Sequence, residues 1–502
     1  MSPFSNTRAI LRWVAFALWL VLTFSLTAHH ELWRDEIDSW LLARDASWSQ
    51  MFSVLPDAGH PPLWYILLKF SVIGGLDWGA MQGINLLAVW GAGGLLLFRS
   101  SLPLSVAITV LFSFLFSFEY PVIARNYGLG ILGLFLYADA TTRRPPNWRI
   151  SNIIAQILMC CSSVHFLALG LTLFAVRIWG NFRSKTNNLT RFATEELPFL
   201  IPFAVSVLVL WPTGKGQFST SLVDQFQARN FLDSIANSLL PFDAPTAVTF
   251  ILAICCYLWF ILGSSHPVRT GVMFLAGAGI LEAIFCLKYY SGAPRHSGLL
   301  LVWLWAVLWM NGLNLKIDPN VAVSHWRWLA APLVSWLLFA WNFPVTLSVW
   351  QLEYKMNFSD AIEAARFLSR ENVMKREVVC WKPRNCSTIL AYLPSSRRFW
   401  SPVLNRRITY DHWDRESNGI HSQEGLDING VINDTIPFFI DWGRRGGPLL
   451  VTMQKLKNPG TSGLRLLAPA PTKAWRILDE SFWIYGPADD GELVDHGAGH
   501  ED

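Results

Sequence analysis

Long apolar runs follow one another up to about residue 350, and short polar joints separate them. A helix needs about 20 predominantly apolar residues to cross a bilayer. A chain in lipid must satisfy its backbone groups internally, so this pattern predicts a polytopic α-helical membrane protein. We expect eleven membrane-spanning helices, at 13–28, 80–98, 102–118, 120–140, 150–163, 166–179, 197–211, 247–263, 271–287, 297–313 and 326–350.

Two apolar stretches have lengths that leave the number of spans open. The run 62–75 is apolar, but it has only 14 residues and contains Lys69. At about 1.5 Å per residue it is too short for a hydrocarbon core about 30 Å thick, so we expect a juxtamembrane helix along the membrane surface. The stretch 150–179 is short for two spans. We divide it because both of its flanks are basic, and a single span would place them on opposite sides.

Basic residues mark alternate joints, which gives an orientation. The positive-inside rule assigns these joints to the cytoplasm. The N-terminus is then cytoplasmic, and an odd number of spans places the chain after residue 350 on the extracytoplasmic side. The first span ends at His29 without a small-residue cleavage site, so we expect a retained anchor. The basic residues are Arg8, Arg12, Arg99, Arg143, Arg144, Arg149, Arg177, Arg183, Lys185, Arg191, Arg269, Lys316 and Arg327.

The tail, 351–502, is more polar and predicts a small extracytoplasmic α/β domain after the membrane domain 1–350. An amphipathic helix is predicted at 359–369, with Ser359 or Asp360 as its N-cap. Short runs that are typical of strands lie at 377–381, 388–393, 448–453 and 481–485.

Composition agrees with a membrane protein and excludes one class of function. Charged residues make up 15% of the chain, and hydrophobic residues 52%. Soluble globular proteins carry about 25% charged residues. The net charge of +4 comes from scattered side chains, which argues against nucleic-acid binding. Among the seven cysteines, only Cys380 and Cys386 lie in a polar stretch at a spacing that could close a short loop; two unlinked thiols are the alternative.

The first outer loop carries an acidic cluster directly after a membrane span. Asp35 and Asp38 are three positions apart and would share a helix face, with Glu36 between them. Acidic groups at that depth are costly unless they have partners or a function. A purely structural alternative is that they are solvated loop acids paired with Arg34 and Arg44.

More polar positions fall on the same predicted face of the membrane. Arg125, His165, Lys288 and Arg295 each lie near the outer end of a span, and His60 precedes two prolines that can start a helix. Each residue alone could anchor its helix at the interface. Together they bring both signs of charge to one face, which suits an anionic lipid headgroup held by cations beside a carboxylate base.

In their order, these motifs resemble the GT-C membrane glycosyltransferases. Within them the chain is most similar to the bacterial dolichyl-phosphate-mannose protein mannosyltransferase-like group, which includes the lipid A aminoarabinose transferases. The motifs are the Asp-Glu pair at 35–36, His-Pro-Pro-Leu at 60–63, Arg-Asn-Tyr at 125–127, the histidine at 165 and Pro-Arg-His at 294–296. The resemblance covers about residues 10 to 350, and the tail more loosely, because members often end in a soluble outer domain.

The resemblance implies roles for the acidic residues. Asp35 would be the general base toward the acceptor hydroxyl. Glu36 would orient the acceptor or, in a metal-using member, help to bind a divalent cation. Asp38 stands where the aminoarabinose transferases have Arg, so their donor contact is missing here and aminoarabinose is in doubt as the sugar.

The resemblance also implies phosphate contacts. His60 stands where the aminoarabinose transferases have Lys, so a phosphate contact there would be weaker and would depend on pH. Arg125 and Arg295 would bind phosphate, with Arg295 the stronger candidate. His165 and Lys288 would line the same substrate-binding region.

The implied activity is an inverting transfer of a sugar from a polyprenyl-phosphate carrier to an acceptor hydroxyl. The acceptor would be a glycan, a lipid or a protein of the cell envelope, met at the extracytoplasmic face of a bacterial inner membrane. The sequence shows no nucleotide-sugar fingerprint and no Gly-rich phosphate loop, so no nucleotide cofactor is expected.

Two other functions fit part of the pattern. A transporter or flippase of a lipid-linked substrate would explain the spans, but transporter sites lie near mid-membrane, and these charges lie at one surface. A non-catalytic assembly subunit whose tail binds partners would make Asp35 dispensable.

Overall fold

The computed structural model describes residues 3–183, 197–211, 228–241, 246–287, 293–312, 325–380, 383–401, 404, 406–410, 447–453, 455–456, 459–468, 475–476 and 480–488. Within these residues the chain is mostly helical, and one mixed sheet lies in its C-terminal part.

The part before residue 356 contains fifteen helices within the described ranges. They are α1 Pro3–His29, α2 Arg34–Asp45, α3 Trp48–Ala58, α4 Leu63–Ile73, α5 Gly79–Arg99, α6 Leu104–Leu111, α7 Tyr127–Arg143, α8 Trp148–Ser162, α9 Val164–Arg183, α10 Leu197–Val209, α11 Ala228–Leu239, α12 Ala247–Leu262, α13 Pro267–Leu287, α14 Pro294–Asn311 and α15 His325–Lys355.

Every apolar run that predicts a span contains helix, and α4 lies where the juxtamembrane helix is predicted. In the described ranges, four helices are long and apolar enough to cross a membrane: α1, α5, α13 and α15. The other runs hold shorter helices, so the count of eleven spans stays a prediction. Large apolar side chains are exposed on these helices, among them Val21 at 68% and Trp341 at 65%. Such exposed apolar surface is typical of contact with lipid.

The break between α8 and α9 lies at Ser163, whose backbone is extended, with φ −146° and ψ 159°. The stretch 150–179 is therefore divided into two helices at the predicted place. This break puts His165 in the first turn of α9.

The runs 102–118 and 120–140 are less regular than predicted. Helix α6 ends at Leu111, a π-helical turn follows at Leu115–Glu119, and α7 begins only at Tyr127. The segment between them leaves backbone carbonyls without helical partners, which is costly in an apolar environment. The Asn85 amide of α5 donates to the carbonyls of Tyr120 at 2.8 Å, Pro121 at 3.0 Å and Ile123 at 3.3 Å, which stabilises the irregular segment.

Gly128 allows this arrangement. A Cβ atom at this position would lie 2.6 Å from Asn85 Oδ1. Only glycine therefore lets α7 approach α5 closely enough for the amide to reach the irregular backbone. Arg125, one of the predicted phosphate ligands, lies in this same segment.

The C-terminal part holds the predicted α/β structure. The amphipathic helix is present as α16 Ala361–Leu368, and the Ser359 hydroxyl accepts a hydrogen bond from the Ala361 N–H at 3.3 Å. Two further helices are α17 Glu371–Met374 and α18 Pro383–Ala391. The strands are β1 Val378–Cys380, β2 Phe399–Ser401, β3 Arg406–Ile408, β4 Leu449–Thr452, β5 Leu464–Ala468 and β6 Trp483–Pro487.

The strands form one sheet in the order β3-β2-β1-β4-β6-β5. The central strand β1 runs parallel to β2 and β4, and the outer pairs are antiparallel. Three of the predicted strand runs contain strands. The strand prediction at 388–393 is wrong, because 388–391 belongs to α18. Ile389 has a β-branched side chain, which favours a strand, but α18 buries Ile389 and Leu390 against the apolar core, where the packing outweighs that local preference.

The loop that carries the acidic cluster and the C-terminal part share one apolar core. Ile37 and Leu41 of α2 lie in the same buried cluster as Leu390 of α18. Cys380 at the end of β1 and Cys386 in α18 form a disulfide with a Cα–Cα distance of 6.1 Å. The sheet and its helices therefore pack directly on the loop that carries the acidic cluster.

Candidate functional site at one end of the helices

Asp35 lies in the first turn of α2, where the helix dipole favours a negative side chain. Its carboxylate accepts a hydrogen bond from Arg295, with 2.9 Å between Oδ2 and Nη2. Arg125 Nη1 lies 3.8 Å from the same oxygen, and Arg34 Nε lies 3.9 Å from Oδ1. The Asp35 side chain is 16% exposed. A partly exposed carboxylate is therefore surrounded by three guanidinium groups.

Arg125 connects the acidic residue to His60. Its Nη1 donates to the backbone carbonyl of Asp35, and its Nη2 donates toward His60 Nε2 at 3.4 Å. His60 follows Gly59, which ends α3 in a left-handed conformation with φ 68°. The loop between α3 and α4 thereby brings an imidazole to the same cluster.

His60 is a neutral hydrogen-bond acceptor in this cluster. Its burial, together with the adjacent charge of Arg125, lowers its pKa to about 3. A neutral imidazole nitrogen accepts a hydrogen bond from the guanidinium and helps to orient it.

Arg295 lies in the first turn of α14, and its guanidinium is held from several sides. It lies over the Trp33 ring, with 5.3 Å from Cζ to the ring centroid. The Tyr120 hydroxyl donates to its backbone carbonyl at 3.2 Å. Within the part of the chain that the structure describes, Arg295 Nε is buried and makes no hydrogen bond. Arg295 thus has a donor left for a further anionic group.

His165 lies beside this cluster in an aromatic group. Its ring centroid is 5.4 Å from that of His296, 6.0 Å from that of Tyr127 and 5.7 Å from that of Phe285. The residue is 3% exposed. His296 directly follows Arg295, so the histidine pair adjoins the charged cluster.

Glu36 has contacts of a different kind from Asp35. It is fully buried, and its Oε2 accepts from His30 Nε2 at 3.0 Å and from the Trp33 N–H at 3.3 Å. Its Oε1 accepts from the N–H of Ala124, the residue before Arg125. Glu36 therefore joins the loop at 30–36 to the irregular segment that carries Arg125.

His30 extends this connection to the last helix of the membrane part. Its Nδ1 lies 2.7 Å from Glu353 Oε1 near the end of α15. Burial alone would lower the pKa of His30, but the two carboxylates of Glu36 and Glu353 raise it to about 10. His30 is therefore a buried cation between two anions, and it joins three segments of the chain.

The Asp38 side chain contacts the C-terminal part. It is 5% exposed, and its Oδ1 accepts from the Ser387 hydroxyl of α18 at 3.0 Å. It therefore lies at the contact between the loop and the C-terminal part.

The structure brings together Asp35, His60, Arg125 and Arg295, with His165 beside them. Lys288, also predicted from the sequence, lies outside the described residues. Within the described ranges, no group of three or more His, Cys, Asp or Glu side chains is arranged to hold a metal ion. Sequence patterns predict no role for four residues that contact this cluster or its neighbours: His30, Trp33, Glu119, which lies 3.9 Å from Arg295, and Arg476, which pairs with Glu119. The only sequence signals for Glu119 and Arg476 are a lone glutamate in an aromatic run and a Trp-Arg pair in the tail.

No protein-family model matches the chain, and no curated protein matches it. A solved structure, the arabinofuranosyltransferase AftD from mycobacteria determined by single-particle cryo-EM, superposes with a TM-score of 0.40 at 12% identity. The superposition covers 95% of this chain, which spans 40% of the length of that structure. A likeness this weak carries no argument about activity.

Proposed function

We propose that the protein is a membrane-embedded glycosyltransferase of the GT-C type. In this proposal it transfers a sugar from a polyprenyl-phosphate carrier to an acceptor hydroxyl, with inversion at the anomeric carbon. The observation that carries the proposal is the partly exposed carboxylate of Asp35 between the guanidinium groups of Arg125 and Arg295. This arrangement supplies a base and cations within one cluster.

The chemistry requires both charges. A hydroxyl is a poor nucleophile at neutral pH, so a positioned base accelerates the reaction by about 10² to 10⁴. In the proposed step, the acceptor oxygen bonds to the anomeric carbon while the bond from that carbon to the phosphate oxygen breaks. The hydroxyl proton passes to Asp35, and the polyprenyl phosphate leaves with an additional negative charge.

Arg295 and Arg125 would stabilise that departing charge. Fixed guanidinium groups favour the transition state over the ground state when negative charge grows on the leaving group. Arg295 holds Asp35 through Nη2, and its side chain is still 13% exposed, which leaves part of it open to a phosphate. Neutral His60 would keep the Arg125 guanidinium in place rather than bind the phosphate itself.

Glu36 and Asp38 would act as positioning residues. The described contacts of Glu36 go to protein donors, and Asp38 bonds to the C-terminal part. Neither arrangement requires a metal ion.

The position of the cluster at helix ends supports a transferase over a transporter. Asp35 follows α1, Arg125 precedes α7, and His165 and Arg295 lie in the first turns of their helices. A transporter site would be expected near the middle of the membrane, on interrupted helices. A site at the helix ends would instead lie at the membrane–water interface, where it can bind a lipid headgroup and a water-soluble acceptor at the same time.

The disulfide supports an extracytoplasmic location for this end. Disulfides persist in oxidising compartments and are rare in the cytoplasm. Cys380 and Cys386 lie in the C-terminal part, which packs on the loop of the site. We therefore propose that the reaction takes place at the extracytoplasmic face of a bacterial inner membrane.

The experiment begins with the carrier lipid. A strain lacking the gene should accumulate the unused lipid-linked sugar, which mass spectrometry identifies. Purified protein in nanodiscs then receives that lipid together with envelope material from the same strain, and transfer of the sugar is measured. A nanodisc has no lumen, so a flippase would give no product. Accumulation without transfer by purified protein would overturn the proposal in favour of the transporter.

A further inference from the structure

Arg476 of the C-terminal part lies in an aromatic cage to which the helical part contributes Phe114 and Phe118 and the C-terminal part contributes Phe358 and Trp475. Its Cζ lies 5.8 Å from the ring centroid of Phe114, 5.7 Å from those of Phe118 and Phe358, and 5.9 Å from that of Trp475. The preceding Trp475 N–H donates to the Asn357 carbonyl at 3.1 Å. Stacked aromatic faces stabilise a guanidinium and fix its position.

The partner of Arg476 is Glu119, at the end of the π-helical turn. Glu119 Oε2 lies 2.7 Å from Arg476 Nη2, and the Glu119 side chain is fully buried. Its other oxygen, Oε1, lies 3.9 Å from Arg295 Nη1. Within the part of the chain that the structure describes, this Oε1 accepts no hydrogen bond.

Charges of alternating sign therefore run from the C-terminal part to the site: Arg476, Glu119, Arg295 and Asp35. Glu119 is close enough to Arg295 to compete with Asp35 for its guanidinium. A buried carboxylate without a counter-charge is strongly unfavourable, so it will take the nearest cation. Arg476 supplies that counter-charge from the other side.

We propose that Arg476 is a positioning residue for Arg295. By neutralising Glu119, it leaves the Arg295 guanidinium beside Asp35 and available to a lipid phosphate. The inference rests on the proposed function, because it assigns Arg295 to the donor phosphate. It adds that the C-terminal part completes the donor site through one side chain.

The test compares Arg476→Ala with the double variant Arg476→Ala/Glu119→Gln. The probe is undecaprenyl phosphate without a sugar, and its binding to full-length protein in nanodiscs is measured. Loss of Arg476 should weaken binding by about tenfold, because Glu119 then draws Arg295 away from the phosphate. Glutamine at position 119 is neutral and does not compete with the phosphate for the Arg295 guanidinium. The double variant should therefore bind the probe within about threefold of the wild type.

Arg366→Ala is the matched control. It removes another arginine of the C-terminal part, whose exposed ion pair with Glu363 lies within α16, and it leaves Glu119 untouched. Its probe binding should equal that of the wild type. Arg476→Lys keeps the charge but not the fork of donors, so it should bind between the wild type and Arg476→Ala.

Two results would overturn the inference. One is equal probe binding by Arg476→Ala and the wild type. The other is a double variant that binds as weakly as Arg476→Ala while both unfold at the same temperature. If Arg476→Ala does not fold, Arg476→Lys with and without Glu119→Gln takes its place, and the neutral glutamine should again improve binding.

The same data separate this inference from the proposed function. Probe binding requires no sugar transfer, so it is measured even if the transfer assay fails. If Arg295→Ala binds the probe as well as the wild type does, the phosphate site itself is wrong. If Arg295→Ala weakens binding and Arg476→Ala does not, only the positioning role is wrong.

Discussion

Arg295 and Asp35 are 260 positions apart in the chain and meet through one hydrogen bond of 2.9 Å. The arginine lies on Trp33, two residues before Asp35, so the same loop holds it by an aromatic face and by a carboxylate. The carboxylate that we propose as the base and the guanidinium that we propose to bind phosphate are thus fixed relative to each other. Fixed geometry of this kind reduces the ordering that a reaction must supply.

Asp35→Asn tests the base. Asparagine keeps the size and most of the hydrogen bonding but cannot accept the hydroxyl proton. We expect turnover to fall by at least about a hundredfold, with an unchanged fold. Binding of undecaprenyl phosphate should be retained or become tighter, since a negative charge next to the phosphate is removed.

Asp77→Asn is the control for that variant. Asp77 is an exposed acid between α4 and α5, and its carboxylate accepts only from the nearby Gly79 N–H in the contacts described, at 2.9 Å. It should transfer sugar at the wild-type rate. Wild-type transfer by Asp35→Asn as well would show that Asp35 is not the base.

Arg295→Ala and Arg295→Lys test the phosphate site by kinetics. The alanine variant loses a charge-assisted hydrogen bond to a partly desolvated phosphate, so the KM for the donor should rise by about tenfold or more. Lysine restores the charge but not the planar fork, and it should rescue only part of the loss. Unchanged KM and kcat in the alanine variant would show that Arg295 does not bind the donor phosphate and only packs on Trp33.

His30→Gln tests the buried cation by the pH dependence of stability. The pKa of His30 is raised to about 10 in the folded protein, and an unfolded histidine titrates near about 6.5. The stabilisation is therefore complete below about pH 6.5 and is lost as the pH rises through about 10. Removing one partner of a buried ion pair costs about 3 to 5 kcal/mol, so His30→Gln should unfold at a lower temperature at pH 7.

The difference in unfolding temperature between the wild type and His30→Gln should shrink as the pH approaches 10. Thermal unfolding of both purified proteins from pH 6 to pH 10 measures it. A constant difference across that range would mean that His30 carries no charge in the folded protein.

The disulfide can be tested by replacing both cysteines. Closing so short a loop stabilises a fold by about 2 kcal/mol, so Cys380→Ser/Cys386→Ser should loosen the C-terminal part locally. Protease sensitivity between β1 and α18 should rise, while the helices keep their unfolding temperature. Cys255→Ser, at an exposed unpaired cysteine, should change neither property. Full alkylation of both wild-type thiols under non-reducing conditions would argue against the bond.

Most of the helical architecture could be predicted from the sequence, because apolar runs of sufficient length have few alternatives in a membrane. The break at Ser163 followed from the charges on both sides of it. The failure at 388–393 has a different origin. Thr388 and Ile389 favour a strand by local preference, and only the packing of α18 against α2 makes them helical.

The sequence predicts candidate residues for the site but not how they are arranged. The residue types and their places at helix ends pointed to Asp35, Arg125 and Arg295. Which acid would meet the arginines was not predictable, since Asp35 and Glu36 are neighbours in the chain. Glu36 is held away from the arginines by its hydrogen bonds to His30, 6 positions away in the chain, and to the N–H of Ala124, 88 positions away.

The separation between the charged partners has a consequence for synthesis. Glu119 and Arg476 are 357 positions apart in the chain, and Arg295 follows Asp35 by 260 positions. At about 5 to 20 residues per second, Asp35 is translated about 13 to 52 s before its arginine. Arg34 is present from the start, but the other two guanidinium groups around Asp35 are made later, so a nascent chain cannot hold the complete charged cluster. A chain that stopped before residue 476 would lack both Arg476 and strand β6, which pairs with β4 and β5, so the cluster and the sheet are completed together.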